Sequence, residues 1–305
     1  MAIEHGYLSE QHTVTTEDGY ILTMFRISKG KNCKGPNRKP PVLLMHGLLM
    51  SSDSFMDSGP QAGLAYLISD LCYDLWAPNI RGNYYSKRHI KLDPSVGILL
   101  EPGSRHTYTR SQLFRWLGDT YQLLLPTFYQ AGLYEALPLG GFVQEAASYL
   151  CKDYALADFA CKVALGLIDS FHPGSIKTET VQVLFGHFPG GTSVKNMAWY
   201  GQALNVDEFQ HFDYGATGNS QLYGTSQPPA FNLSLVSVPV VIIHGRHDYL
   251  TSPADVEWVT SKLPNVLEQY YVEDPMWNHF DITYSQFTCR SILPKIKEYL
   301  DVFST

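Results

Sequence analysis

The sequence predicts an α/β protein whose sheet core is interrupted by a long helical insertion. Three observations carry this prediction. Short continuous apolar runs, each stopped by glycine or polar residues, recur near both ends of the chain, as expected of buried strands. Two of the N-terminal runs bracket an amphipathic helical face, which makes a βαβ unit and a parallel pairing. Between the N-terminal and C-terminal runs, from about Thr109 to Gln227, the patterning is helical, apolar and repeatedly broken by proline and glycine.

Taken in order, residues 11–16 and 20–27 are β-rich and flank Glu17-Asp18-Gly19, where Asp-Gly is a hairpin signal. The basic, proline-rich stretch 29–40 reads as a surface loop. Pro41-Val42-Leu43-Leu44-Met45, stopped by His46-Gly47, reads as a buried strand. Leu64, Leu67, Ile68 and Leu71 mark one helical face over residues 61–71, and residues 74–78 form the next strand. A further strand is expected at 96–100, after which the helical stretch begins, broken at Pro126, Pro138, Gly140-Gly141 and Pro173-Gly174. Sheet pattern resumes at 238–244. A helix follows at 253–263, with Ser252 as N-cap and Pro253 in its first position. A strand at 267–272 and a helix near 286–300 close the chain. The expected division is 1–104 and 237–305 for the two parts of the core and 105–236 for the insertion.

Composition narrows the function classes. Of the 305 residues 45 % are hydrophobic and 17 % charged, against roughly 25 % charged in an average domain, so the chain is not a disordered tail. A net charge of -7 argues against a general nucleic-acid partner. No apolar run approaches the ~18 residues of a membrane span, and residues 1–7 lack the apolar core of a signal peptide. Cys33, Cys72 and Cys289 are isolated and read as quietly buried thiols. Cys151 and Cys161 flank one short segment, either as a local disulfide or as two free thiols. Asn232-Leu233-Ser234 is a glycosylation sequon.

An α/β core with a helical insertion suggests the α/β-hydrolase fold, in which nucleophile, acid and base follow one another along the chain, each after a strand. Asp248, in Gly245-Arg246-His247-Asp248, is the acid candidate, because it follows the strand ending at His244. His279, in Met276-Trp277-Asn278-His279, is the base candidate after the last strand. A carboxylate beside an imidazole fixes its tautomer and stabilises the imidazolium formed in catalysis. His46-Gly47-Leu48 closes an apolar strand, so the Leu48 N–H is a candidate oxyanion donor, with His46 itself structural. His244-x-x-His247 offers a metal-binding alternative.

These residues resemble the acid lipases, the family of lysosomal acid, gastric and insect digestive lipases. The shared stretches are residues 15–22 (TTEDGYIL), 40–49 (PPVLLMHGLL), Gly82-Asn83-Tyr84-Tyr85-Ser86 with Arg88, Gly190-Gly191-Thr192-Ser193-Val194, Gln227-Pro228-Pro229, and the surroundings of Asp248 and His279. The resemblance implies an α/β-hydrolase fold with a helical cap over an acyl pocket. It also implies hydrolysis of neutral lipid esters (triacylglycerols or cholesteryl esters) at a lipid–water interface, without a cofactor. A disulfide at Cys151–Cys161 in the cap and a secreted or lysosomal setting follow from it as well.

The family's Gly-x-Ser-x-Gly elbow, whose glycines permit the strained turn that exposes the serine, is absent. Ser193, Ser220 and Ser226 have glycine two residues before them, but Lys195, Leu222 and Pro228 stand two residues after. Between the strands at 74–78 and 96–100 lie only residues 79–95, too few for a βα unit of on the order of 30 residues. In relatives that interval carries a central strand, the elbow and a helix. The expectation is therefore a lipase-type core missing its nucleophile strand and helix and inactive as written. The alternatives are a non-catalytic lipid-binding or interaction protein that keeps the cap, or a hydrolase with an unrecognised nucleophile.

Overall fold

The computed structural model describes residues 1–17, 19–33, 40–89, 105–138, 147, 151 and 155–302. Strands β1 (Leu8–Thr15) and β2 (Tyr20–Lys29) form the expected antiparallel hairpin. Its turn closes where the Thr16 hydroxyl accepts the Tyr20 N–H at 2.9 Å. Strands β3 (Pro41–Leu43) and β4 (Asp74–Pro78) pair in parallel, joined through the helix Leu64–Asp70. Leu64 and Ile68 of the predicted face pack in the core with Ile27 and Leu75, but Ala65 and Tyr66 outside that face are buried there too, so the helix is covered on more sides than its pattern predicts. The strand order is β1-β2-β4-β3, with the short β5 (Arg88–His89) also paired to β2. The sheet is thus mixed, because the hairpin adds antiparallel strands to the parallel pair.

The middle of the chain is mainly helical: Gln112–Gln130, Ala155–Ile168, Thr178–His187, Val194–Ala203 and Gly215–Tyr223. The first helix is capped by Ser111, whose hydroxyl accepts the Phe114 N–H at 3.1 Å. Pro126, expected as a break, lies inside this helix. Packing outweighs the lost hydrogen bond, since the helix lies along Val194–Ala203 and buries Phe114 against Trp199 and Tyr200. The two backbones meet at Gly118 and Gly201: a Cβ on Gly201 would stand 2.2 Å from the Gly118 carbonyl oxygen. A second departure from the helical expectation is a two-stranded antiparallel ribbon, β6 (Glu135–Ala136) with β7 (Thr192–Ser193).

Strands β8 (Val240–His244) and β9 (Val266–Tyr271) form a separate parallel pair. Between them the helix Pro253–Lys262 starts as predicted, with the Ser252 hydroxyl accepting the Asp255 N–H. The closing helix is two pieces, Thr288–Ser291 and Leu293–Val302, because Pro294 cannot continue a helix backwards through Ile292.

Both sheets feed one core, in which Val42, Leu44, Ile243 and Tyr270 pack around Leu75, Val272 and Trp277. Yet among the described residues no strand joins β3 to β8. The run 41–45, expected to be buried, is open: Leu43 and Met45 are 56 % and 52 % exposed. Among the described residues β3 pairs with β4 alone, at the end of the strand order. The expected strand 96–100 lies outside the described residues.

The cysteine expectation is corrected. Cys33 and Cys72 are not lone thiols but a disulfide, Cα–Cα 5.2 Å, tying the end of β2 to the turn before β4. Cys151 and Cys161 form a second disulfide, and Cys289 is an exposed thiol. The first closes a loop of 39 residues. A Cys33→Ala/Cys72→Ala chain should therefore lose about 4 kcal/mol on a chain-entropy scale, read from denaturant midpoints.

Candidate active site

Because β8 and β9 are parallel and adjacent, the loops after them leave the same sheet edge. Gly245 brings those loops into contact: a Cβ there would stand 2.0 Å from the Trp277 carbonyl oxygen, which accepts the His247 N–H at 3.1 Å. Asp248 is buried, and its carboxylate takes two hydrogen bonds. Oδ1 accepts from the Thr251 N–H at 2.7 Å, and Oδ2 accepts from His279 Nδ1 at 2.9 Å. The bond to Oδ2 places the proton on Nδ1 and leaves Nε2 as the other ring nitrogen. Burial works against a charge on His279, but the carboxylates of Asp248 and Asp169 override it and raise the imidazole to about 9.

His279 lines an apolar cavity of about 280 Å³. Leu48, Leu49, Met50, Phe114, Ile168, Phe188, Leu250 and Phe280 form most of its wall, with Gly47, His106, Tyr200 and Thr251. Leu48, the candidate donor, therefore shares the cavity with His279. The turn carrying it is unusual: Leu49 has φ 59°, and its carbonyl accepts the Gly190 N–H at 2.5 Å. A left-handed conformation at a branched residue costs on the order of 1–3 kcal/mol and tends to mark functional turns. His46 is buried, and its Nε2 accepts from the Ile80 N–H at 3.1 Å. Burial lowers it to about 4, so it is a neutral bracing group.

The serines with an upstream glycine stand elsewhere. Ser193 caps the helix Val194–Ala203, and Ser220 bonds back to the Ala216 carbonyl on an exposed helix. Ser226 lies on the surface. Among the described residues that line the cavity, those with a hydroxyl are Tyr200 and Thr251. His244 and His247 do not act together. His244 faces Gln269 and Tyr271, while His247 stacks on Tyr249 at 5.0 Å. Among the described residues no three His, Cys, Asp or Glu side chains gather as a metal site.

Two groups beside the pair escaped the sequence reading. His106 is buried at the cavity wall and lowered to about 4, chiefly by burial. Asp169 lies directly after the helix Ala155–Ile168. Nothing in local pattern marks His106, whereas a carboxylate at a helix C-terminus is a visible anomaly.

Residues 1–59 match the family model "Partial alpha/beta-hydrolase lipase region". The chain is 31 % identical to Lipase 1 of Drosophila melanogaster, over 92 % of this chain and 74 % of that protein. The chain belongs to the acid lipase family. It is 29 % identical to human gastric triacylglycerol lipase (92 % and 84 % covered) and 28 % to human lysosomal acid lipase/cholesteryl ester hydrolase (90 % and 83 %). The alignment with the fly lipase runs over 333 positions, whereas 92 % of this chain is about 280 residues. About fifty positions of that alignment therefore hold residues of the relative with no counterpart here. Superposition on a soluble variant of the Saccharomyces cerevisiae monoglyceride lipase is loose, with a TM-score of 0.45 at 13 % identity over 97 % and 96 % of the two chains. It adds nothing to the assignment. As a member of this family the chain has the α/β-hydrolase fold.

Proposed function

We propose that this acid lipase chain is a receptor for neutral lipid esters, of the triacylglycerol or cholesteryl ester kind, that binds the ester without cleaving it. The observation that carries this reading is the cavity lining: His279 and Leu48 share an apolar chamber with no serine or cysteine among the described residues that line it. In an intact lipase of this type, Asp248 would hold His279 with Nδ1 protonated, so that Nε2 could take the proton of a serine hydroxyl. The Leu48 N–H would hold the ester oxygen as it gains charge. Here those parts would meet an acyl chain and a carbonyl, and the sequence holds no Gly-x-Ser-x-Gly to supply the bond-forming oxygen. The relatives named as triacylglycerol and cholesteryl ester hydrolases support the substrate class. Phe114, Ile168, Phe188, His106 and Tyr200, all between 105 and 236, close one part of the cavity wall, which supports a cap over the acyl group. Two disulfides and an exposed sequon at Asn232 favour an oxidising compartment, secreted or lysosomal.

A fluorogenic octanoate ester of 4-methylumbelliferone tests this. The expected result is a raised Tm with no release of the fluorophore, and loss of the Tm shift in Ile168→Trp, which fills the cavity. Release above buffer that disappears in His279→Ala would show that a nucleophile is present. A Tm unmoved by saturating ester would remove the receptor reading.

A further inference from the structure

Asp169 is 2 % exposed and sits where the chain leaves the helix Ala155–Ile168, its own N–H still bonded to the Leu165 carbonyl. A carboxylate at that end faces the negative pole of the helix dipole, an unfavourable place that asks for compensation. The compensation comes from the two loops of the acid–base pair. Oδ1 accepts the N–H groups of Tyr249 and Leu250 at 2.7 and 3.3 Å, directly after Asp248. Oδ2 accepts the N–H of His279 itself at 2.8 Å. The next residue repeats the pattern: the Ser170 hydroxyl donates to the His247 carbonyl at 2.6 Å, and its own carbonyl accepts from Asn278 Nδ2 at 2.8 Å. One short segment thus grips both loops, with one oxygen of a single carboxylate on each.

We infer that Asp169 is the positioning residue of the Asp248–His279 pair, clamping the acid loop and the base loop to one buried carboxylate at the foot of the helical segment. The inference rests on reading that pair as the acid and base of a lipase-type site. Asp169 does not touch the reacting atoms. It sets the separation of the two loops, and its charge adds to that of Asp248 in holding the imidazolium. The other groups near the pair are His106, buried and neutral, and Tyr249, whose ring lies under the Arg110 guanidinium at 5.6 Å. Burial and the neighbouring Asp248 push the Asp169 carboxyl up to about 6, while His279 opposes the rise. Asp169 and His279 therefore ionise in separate pH ranges and can be followed one after the other.

The test is NMR titration of the His279 ring in the full chain, assigned by comparison with a His279→Gln chain. In the unaltered protein the ring resonance should move twice, first as Asp169 ionises near pH 6 and again as the ring loses its proton near pH 9. In Asp169→Asn the lower step should vanish and the proton affinity of His279 should fall about tenfold. A carboxylate without influence on the ring would leave the proton affinity of His279 unchanged, even though asparagine keeps an acceptor for only one of the two loops. Asp248→Asn serves as the comparator and should lower that affinity too. A single-step titration in the unaltered chain, with Asp248→Asn effective, overturns the clamp alone, and it does so even if Asp169→Asn fails to fold. A His279 indifferent to Asp248→Asn overturns the acid–base reading beneath it.

Discussion

A chain given the strand–Gly-x-Ser-x-Gly–helix segment of an active relative, inserted between Ser95 and Val96, should hydrolyse lipid esters on the order of 10⁶-fold faster than the chain without it. The magnitude follows from the cooperativity of such sites, where loss of the serine alone removes nearly all the triad's contribution. The bond from His279 to Asp248 is made at 2.9 Å, and the cavity with Leu48 in its wall exists beside it. What the inserted unit supplies is the hydroxyl and a strand to lie beside β3. His279→Ala in the same chimera should return the rate to background, measured with a fluorogenic ester. A second effect accompanies it: the backbone amides of β3, which pairs with β4 alone among the described residues, should become protected from hydrogen exchange once a strand pairs with its other edge.

The largest single-residue effect on folding is expected at Trp277. Its side chain is fully buried in the cluster that joins the two sheets, against Leu75, Val272 and Ile292. Trp277→Ala should lower the unfolding free energy by about 3–5 kcal/mol, from the lost burial and the cavity left behind. The damage should also reach the site, because the Trp277 carbonyl holds the His247 N–H and the Gly245 turn lies against it. Urea unfolding gives the stability change. The His279 ring resonance reports whether the base loop has moved.

The parts of the fold that local chemistry decides were legible in the sequence. Asp-Gly marks the hairpin, two apolar runs around a helical face give the β3–helix–β4 unit, and Ser252-Pro253 starts a helix. Asp248 and His279 each follow an apolar strand pattern, which is why sequence reading reaches them. The rest depended on distant partners. Cys33 and Cys72 are 39 residues apart, and only the packed helix Leu64–Asp70 returns the second to the first. Pro126 stays helical because of a neighbour 75 or so residues further on. Residues 41–45 have the composition of a covered strand, and nothing in that composition records that Leu43 and Met45 stay exposed. Asp169 left a local trace, an acid where a helix dipole disfavours one, but its meaning needed the two loops that fold over it.

Fluorophosphonate labelling of the purified chain tests the central claim most directly, because these probes report a serine activated by its histidine. The account predicts no labelled serine under conditions that label an intact lipase of this family to completion. Stoichiometric labelling of any serine, abolished by His279→Ala, would contradict it.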